Sequence, residues 1–305
     1  MVYCIGETVL DIIFNGDQVI AAKPGGSMLN TAVSLGRAGI PVEFISEIAA
    51  DQPGDLIVRF LQQNQVGTRY LNRYADGKTT IALAFLNENA DAGYSFYSEL
   101  PQERLKGPLP VPAPGDIVLF GSFYSLSDRI HEKIKAILSI AAEQNALVCY
   151  DPNFRTPHIH DLPKVLPRIM ENIAFADIIR GSDEDFLHIF AMKDADDVYK
   201  TLRLTDSQVL IFTRSDEAVS IITGNGKVVV PVPGLKPVST IGAGDSFNAG
   251  TIYALINMNI NKQAIPASSS DDWRTIAMTA IRFSQNVCMS LDNYISTDFI
   301  IAPDK

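Results

Sequence analysis

Residues 240–246 read Thr-Ile-Gly-Ala-Gly-Asp-Ser, a stretch that combines a glycine turn, a helix start and a carboxylate. Apolar residues at helical spacing follow it, which predicts a helix that begins directly after Asp245. The glycines let successive N–H groups point into one concavity, where a helix N-terminus favours an anion. Two interpretations remain open. Asp245 complements the helix dipole beside a tight turn, or it serves as the base of a phosphoryl transfer.

A second glycine pair lies near the N-terminus, where residues 24–30 read Pro-Gly-Gly-Ser-Met-Leu-Asn. Ser27 is a residue type that caps helices, and an apolar helical face follows it. The glycines would bring backbone amides close to a ligand, and the Asn30 side chain offers both a donor and an acceptor from the first turn. Such groups suit sugar hydroxyls. Asn30 could equally satisfy its own backbone in a capped core helix.

Strand and helix patterns alternate along the chain. Strands are predicted at 2–5, 42–48, 117–120, 147–150, 177–179, 209–213, 219–223 and 228–232, and helices at 53–65, 127–145 and 184–190. Asn225-Gly226 predicts a hairpin between the last two strands. This order indicates an α/β fold, a doubly wound, mostly parallel sheet with helices on both faces and an antiparallel edge.

Two stretches interrupt the alternation, at 11–22 and 70–97, because both contain short β segments without helices. Within the second, strands at 79–86 and 93–97 are joined by a polar turn at 87–91. We expect these stretches to form a small β lid on a single domain spanning 1–305. The free edges of a small sheet also favour a homodimer through the lid.

The two glycine motifs together resemble the paired signatures of the PfkB, or ribokinase-like, family of carbohydrate kinases. Gly25-Gly26 with Asn30 is similar to the N-terminal signature, and Gly242-Ala243-Gly244-Asp245 to the C-terminal one. Between them, residues 150–155 read Tyr-Asp-Pro-Asn-Phe-Arg and resemble the strand end of the fructokinase and 2-keto-3-deoxygluconate kinase branches.

The resemblance implies a ribokinase-like fold and an ATP- and magnesium-dependent sugar kinase. It favours a fructokinase that phosphorylates a primary hydroxyl of a ketose. A 2-keto-3-deoxygluconate kinase or another PfkB-type sugar kinase is the alternative, and a catalytically silent sugar-binding protein is a further one.

The resemblance also implies roles for individual residues. Asp245 would be the general base, and the amides of Gly242, Ala243 and Gly244 would stabilise charge on the phosphoryl group. The expected substrate-binding residues are Asp11, Gly25, Gly26, Asn30 and Arg155. The expected nucleotide-side residues are Asn153, Ser182, Thr213, Ser215 and Asn286. Asp185 would hold magnesium through water.

Some positions depart from the family pattern. Ser239-Thr240 stands where relatives commonly have an Asp that arranges a monovalent-cation loop, so potassium activation is left open. Ser215 and Ala218 occupy positions where relatives usually have glycines. These departures motivate the alternative of a catalytically silent sugar-binding protein, whereas the intact 242–245 turn favours a sugar kinase.

Composition excludes several classes of protein. A net charge of −10 and a pI near 4.9 argue against a nucleic-acid surface. No window approaches the roughly 20 apolar residues of a membrane span, and no basic leader is visible. Cys4, Cys149 and Cys288 lie in apolar patterns, which fits free thiols in the cytoplasm. The first strand is not followed by the glycine fingerprint of a nicotinamide-dependent dehydrogenase.

Overall fold

A computed structural model of the protein describes residues 1–86 and 92–300. The strands are β1 (Val2–Ile5), β2 (Val9–Asn15), β3 (Gln18–Gly25), β4 (Val42–Ala49), β5 (Val66–Gly67), β6 (Leu71–Tyr74), β7 (Lys78–Leu86), β8 (Ala92–Glu99), β9 (Ile117–Gly121), β10 (Leu147–Asp151), β11 (Ile178–Ser182), β12 (Val209–Arg214), β13 (Ala218–Thr223) and β14 (Gly226–Pro231). The α-helices are α1 (Ser27–Arg37), α2 (Gln52–Gln63), α3 (His131–Glu143), α4 (Leu162–Phe175), α5 (Asp183–Phe190), α6 (Ala195–Leu202), α7 (Ala243–Asn257) and α8 (Ser270–Cys288).

The main sheet has the strand order β14-β13-β12-β11-β10-β9-β1-β4-β5, and β6 also pairs with β4. The pairings from β4 to β12 are parallel, and the two that add β13 and β14 are antiparallel. The predicted hairpin is confirmed, because Thr223 pairs with Gly226 at its tip. The carboxyl ends of the parallel strands therefore meet at one edge of the sheet.

Helices cover both faces of the sheet, as predicted. The side chains of successive strand residues point to opposite faces, so Val2 and Cys4 join one core while Tyr3 and Ile5 join the other. The first core is closed by α1, α2, α7 and α8, and the second by α3, α4, α5 and α6. This two-sided burial explains why the central strands are nearly continuous apolar runs.

A second sheet of four strands has the order β3-β2-β7-β8. It uses both interrupting stretches, but residues 71–74 do not belong to it, because β6 pairs with Ser46–Ala49 of β4 in parallel. The expected lid boundary at residue 70 is therefore wrong, since composition cannot distinguish a short strand of one sheet from that of another. The turn predicted at 87–91 lies outside the described residues.

The small sheet carries exposed apolar side chains at Val19, Ile20, Phe85, Phe96 and Tyr97. The homodimer through this sheet stays a prediction. Within 1–86 and 92–300, no helix has the length and apolar character needed to cross a bilayer. The cytoplasmic location and the absence of a nucleic-acid partner also stay predictions.

Helices α7 and α8 cross in close contact at Gly250. A Cβ atom placed on Gly250 would lie 2.6 Å from the Cα of Ala280 and 3.0 Å from the Cβ of Phe283. Because the nearest neighbour is backbone, a larger residue cannot be accommodated by rotating a side chain. The close spacing of α7 and α8 therefore depends on glycine, which has no side chain, at position 250.

We predict that Gly250→Ala lowers the free energy of unfolding by about 1–3 kcal/mol through overpacking. The loss should appear although Ala favours a helix by about 1 kcal/mol over Gly. Gly234→Ala is the control, because a Cβ there would meet no atom within 4 Å. Urea denaturation of both variants gives the measurement, and equal midpoints for Gly250→Ala and the unmodified protein would contradict the argument.

Candidate active site

The 240–246 stretch forms the start of α7. Gly242 is its N-cap with φ 81°, and Ala243 is the first helical residue. A Cβ on Gly242 would lie 2.3 Å from the carbonyl oxygen of Asn293. The positive φ and this close contact therefore both require glycine at position 242. The expectation that the helix begins after Asp245 is wrong, because the turn ends at Gly242 and Gly244 already belongs to the first turn of the helix. Asp245 is thus the third helical residue.

The amides of this turn differ in their availability. The N–H of Ala243 donates to the carbonyl of Thr240 at 3.2 Å, and the N–H of Ser246 donates to Gly242 at 2.9 Å. Across the described ranges, the N–H groups of Gly242 and Gly244 make no hydrogen bond. Two of the three predicted anion-binding amides are therefore free for a ligand, at the positive end of a fifteen-residue helix.

The carboxylate of Asp245 is buried and held by the first turn of α1. Ser27 Oγ donates to Asp245 Oδ1 at 2.6 Å, and Asn30 Nδ2 donates to Oδ2 at 2.8 Å. Burial raises the pKa of Asp245, although both hydrogen bonds and the charge of Arg155 oppose the rise. A carboxylate with a raised pKa and fixed oxygens is suited to accept a proton.

Ser27 differs from its sequence interpretation as a helix cap, and Asn30 differs from the alternative in which it satisfies its own backbone. Gly26 is the N-cap of α1, and Ser27 is its first residue with no capping hydrogen bond. The hydroxyl of Ser27 is instead directed at Asp245. Asn30 does not bond to its own backbone, and its Oδ1 is buried without a partner. The Oδ1 atom of Asn30 is therefore an unused hydrogen-bond acceptor beside Asp245, the candidate base.

A chain of hydrogen bonds leads from Arg155 to the same carboxylate. Arg155 Nε donates to Asn153 Oδ1 at 3.1 Å, and Asn153 Nδ2 donates to Ser27 Oγ at 3.2 Å. Asn153 adopts φ 40°, with its N–H bonded to Asp151 Oδ1 at 2.9 Å. The 150–155 motif therefore lies between α1 and the cavity described below.

Asp11 on β2 pairs with Lys23 on β3, and its carboxylate lies against Gly25, two residues further along β3. A Cβ on Gly25 would lie 2.0 Å from Asp11 Oδ2, so the carboxylate rests on glycine backbone. Burial raises the pKa of Asp11 to about 6, while the nearby charge of Lys23 opposes the rise. The ammonium of Lys23 donates to the carbonyl of Leu291 at 2.7 Å and to Asn293 Oδ1 at 3.0 Å. The small sheet is thereby tied to the segment that supports Gly242.

A cavity of about 400 Å³ lies on the other side of the turn. Six of the predicted site residues line it: Arg155, Ser182, Thr213, Ser215, Ala243 and Gly244. Apolar residues of the 232–237 segment and of α8 complete the wall. An apolar wall facing a helix N-terminus fits a ligand with a flat ring and an anionic tail.

Asn286 lies outside this lining. Its Oδ1 accepts the N–H of Ser296 at 2.8 Å, whereas Ser284, Gln285 and Cys288 of the same helix face the cavity. The prediction selected the wrong face of α8, because no glycine marker follows the helix to fix its rotation. Asn286 fastens the chain after α8 instead.

Asp185 holds protein groups with both carboxylate oxygens. It forms a capping box with Ser182 at the start of α5, and its Oδ1 accepts the N–H of Phe154 at 2.6 Å. Burial raises its pKa, and the charge of Asp151 adds to the rise. Asp185 therefore positions the 153–155 loop, and a water-mediated metal contact can use only the remaining lone pair of Oδ1.

Three further acids line the cavity: Asp183, Glu184 and Asp216. Among the described residues, no three His, Cys, Asp or Glu side chains converge in a metal-binding cluster. Such a donor set fits Mg²⁺, which proteins commonly hold through one or two carboxylates, waters and substrate phosphates. The cavity therefore offers carboxylates to a hydrated ion without a preformed cage.

Sequence reasoning missed Arg180, whose guanidinium is buried at the cavity floor. Nη1 forms an ion pair with Asp151 Oδ2 at 2.9 Å, and Nη2 donates to Thr213 Oγ1 at 2.9 Å. Asn248 Nδ2 also donates to Asp151 Oδ2, at 2.7 Å. A charged residue at the end of an apolar strand was the available signal, since ligands bind at that edge of α/β sheets.

The amino-acid sequence is similar to those of known carbohydrate kinases. The sequence matches the pfkB family carbohydrate kinase over residues 1–269. A fructokinase from Rhizobium leguminosarum bv. trifolii is 32% identical over 263 residues, which cover 84% of this chain and 79% of that protein. Probable fructokinase-2 from Arabidopsis thaliana is 24% identical over 277 residues, covering 87% and 83%.

Solved structures share the fold. Fructokinase from Vibrio cholerae O395, in a form with fructose, ADP and calcium ion bound, superposes with a TM-score of 0.82 at 19% identity, covering 96% of this chain and 94% of that one. Aminoimidazole riboside kinase from Salmonella enterica gives a TM-score of 0.79 at 22% identity, covering 98% and 96%. The predicted ribokinase-like fold is confirmed.

We predict that Asp151→Asn lowers the free energy of unfolding by about 3–5 kcal/mol, because the charge of Arg180 is then buried without its counter-ion. Asp196→Asn is the control, since Asp196 pairs with Lys227 at the surface and such pairs contribute about 1 kcal/mol or less. Urea denaturation at pH 7 compares the two variants. Equal losses of unfolding free energy in the two variants would contradict the argument, because the buried pair would then contribute no more than the surface pair.

Proposed function

The chain belongs to the pfkB family of carbohydrate kinases, and we propose that within this family it transfers the γ-phosphoryl group of ATP to a primary hydroxyl of fructose. The observation that carries the proposal is the start of α7, where a buried carboxylate and two free amides lie on one turn. The carboxylate meets α1 on one side, and Gly244 borders the cavity on the other. This arrangement suits an acceptor hydroxyl on one side and a phosphate on the other.

The choice of fructose rests on the relatives. The bacterial protein that is 32% identical to this chain over 263 residues is a fructokinase, and the plant relatives carry the same activity in their names. A 2-keto-3-deoxygluconate kinase is the competing assignment within the family. That substrate carries a carboxylate, so the two assignments predict different responses in a substrate panel.

Asp245 accepts the proton of the sugar hydroxyl. Ser27 and Asn30 fix its two oxygens, so the carboxylate is oriented before the substrate arrives. Phosphoryl transfer depends more on positioning and charge neutralisation than on a strong base, so the Asp245 carboxylate is sufficient. The free Oδ1 of Asn30 offers an acceptor to a neighbouring hydroxyl.

The amides of Gly242 and Gly244 donate to the oxygens of the phosphoryl group as it moves toward the sugar. They are fixed by the helix that follows them, so they need no reorganisation as charge shifts. Magnesium bound with the nucleotide would neutralise phosphate charge. Glu184 and Asp183, which line the cavity, would contact its waters, and Asp185 would reach it only through the remaining lone pair of Oδ1.

The first experiment is a coupled assay of ADP release from ATP and Mg²⁺ over fructose, ribose, tagatose, nucleosides and 2-keto-3-deoxygluconate. We predict turnover with fructose and a decrease in kcat of about 10²–10⁴ in Asp245→Asn, with sugar binding preserved. Asp197→Asn is the matched control, because Asp197 is also the third residue of a helix but is exposed. Near-normal turnover in Asp245→Asn would remove the base assignment, and turnover only with the ketodeoxy acid would replace fructose.

A second prediction concerns pH. Because the pKa of Asp11 is raised to about 6, its carboxylate is charged above that pH and neutral below it. A neutral carboxyl is a weaker acceptor for sugar hydroxyls, so KM for fructose should rise as the pH falls through about 6 and stay constant above it. Asp11→Asn should abolish this dependence and raise KM by about 10- to 100-fold. Asp17→Asn, at an exposed turn of the same sheet, should retain the pH dependence.

A further inference from the structure

Arg180 is held in one orientation by the strands on either side of it. Its Nη1 bonds to Asp151 at the end of β10, and its Nη2 bonds to Thr213 on β12. The ring of Phe247 lies 5.5 Å from the guanidinium carbon. A planar cation fixed by an acid, a hydroxyl and an aromatic ring is preorganised, because it cannot rotate without breaking these contacts.

The guanidinium of Arg180 also retains an unused donor. Its Nε is buried without a hydrogen-bond partner, and the side chain is about nine-tenths buried, with 10% exposed. Buried donors are rarely left unpaired, so Nε calls for a partner that the protein itself does not supply. The carboxylate of Asp151, which is the counter-ion of Arg180, is shared between two donors, because its Oδ2 accepts hydrogen bonds from both Arg180 and Asn248.

The position of Arg180 relative to the α7 turn indicates which ligand group it meets. A Cβ on Gly244 would lie 2.9 Å from Nη1 and 3.1 Å from Nη2, so the guanidinium lies directly against the backbone of Gly244. The free N–H of Gly244 and the guanidinium therefore border the same part of the cavity. An oxyanion bound by the amide would have the cation beside it.

We propose that Arg180 is a catalytic residue whose guanidinium binds the phosphoryl group in transit across the 242–244 turn, an inference that rests on the proposed kinase function. The bond between the γ-phosphorus and the bridging oxygen breaks, the sugar oxygen bonds to that phosphorus, and the sugar proton goes to Asp245. Arg180 neutralises charge on the oxygens of the moving group. Arg155 has a different position, because it is half exposed and bonded to Asn153 and Glu184.

The test uses Arg180→Met and Arg180→Lys in the full-length protein. Each variant is assayed for kcat with fructose, for fructose affinity by calorimetry, and for the affinities of ADP and a non-hydrolysable ATP analogue. Lys262→Met is the matched control, because Lys262 pairs at 2.9 Å with Asp177, which precedes the same strand at its other end. Circular dichroism verifies the fold of each variant.

We expect Arg180→Met to lower kcat by about 10²-fold or more, with fructose affinity unchanged. Binding of the ATP analogue should weaken more than that of ADP, because only the analogue carries a third phosphate. A purely structural role would instead lower the affinities for fructose, ADP and the ATP analogue together. A kcat within about threefold of the unmodified protein would overturn the proposal.

If Arg180→Met does not fold, Arg180→Lys decides the matter. Lysine keeps the charge that Asp151 requires but loses the planar fork, so kcat should fall at least tenfold with fructose affinity retained. An unchanged kcat in Arg180→Lys would overturn the proposal. If the unmodified protein phosphorylates no sugar in the panel, the proposed function fails, and the comparison of ADP with the ATP analogue still tests whether Arg180 contacts the third phosphate.

Discussion

The contact between the first turns of α1 and α7 fixes the relation of the two halves of the candidate site. Four side-chain interactions join these helices: Ser27 and Asn30 bond to the Asp245 carboxylate, Thr31 to its carbonyl, and Ser34 to Ser246. All lie in a buried or half-buried interface, where hydrogen bonds are stronger than in water. Because α1 follows the small sheet and α7 borders the cavity, this interface sets the distance between the proposed sugar-binding side and the proposed phosphate-binding side.

The parallel sheet supplies the other half of the geometry. Neighbouring strands end at the same edge, so the side chains of Asp151, Arg180 and Thr213, which are distant in the chain, bond to one another across β10, β11 and β12. A buried ion pair of this kind adds little net stability in general. Its value here is orientation, because it keeps a cation against the turn of α7. The capping box of Asp185 acts similarly on the 153–155 loop, so several acids in this region hold protein groups and leave the free amides for the ligand.

Sequence reasoning predicted the features that repeat a local pattern. Alternating strands and helices gave the sheet and its covered faces, and the paired glycine motifs gave the family. It failed where the deciding partner is remote. Ser27 is a residue type that commonly caps helices, but its hydrogen-bond partner, Asp245, is 218 residues away in the sequence. Arg180 is a single residue with no motif around it, and β6 pairs with a strand more than twenty residues earlier. The wrong face of α8 at Asn286 has the same origin, since helix rotation is set by packing and not by periodicity alone.

The three cysteines differ in their environments. Cys4 and Cys149 are buried in the first core, which α1, α2, α7 and α8 close, whereas Cys288 is half-buried in the wall of the cavity. Burial raises the pKa of all three thiols, most strongly for the enclosed pair. A thiol-directed fluorophore would thus attach to one position of the folded chain, next to the apolar wall of the cavity. The chain thereby carries a natural attachment point for a spectroscopic reporter of cavity occupancy, without any engineered cysteine.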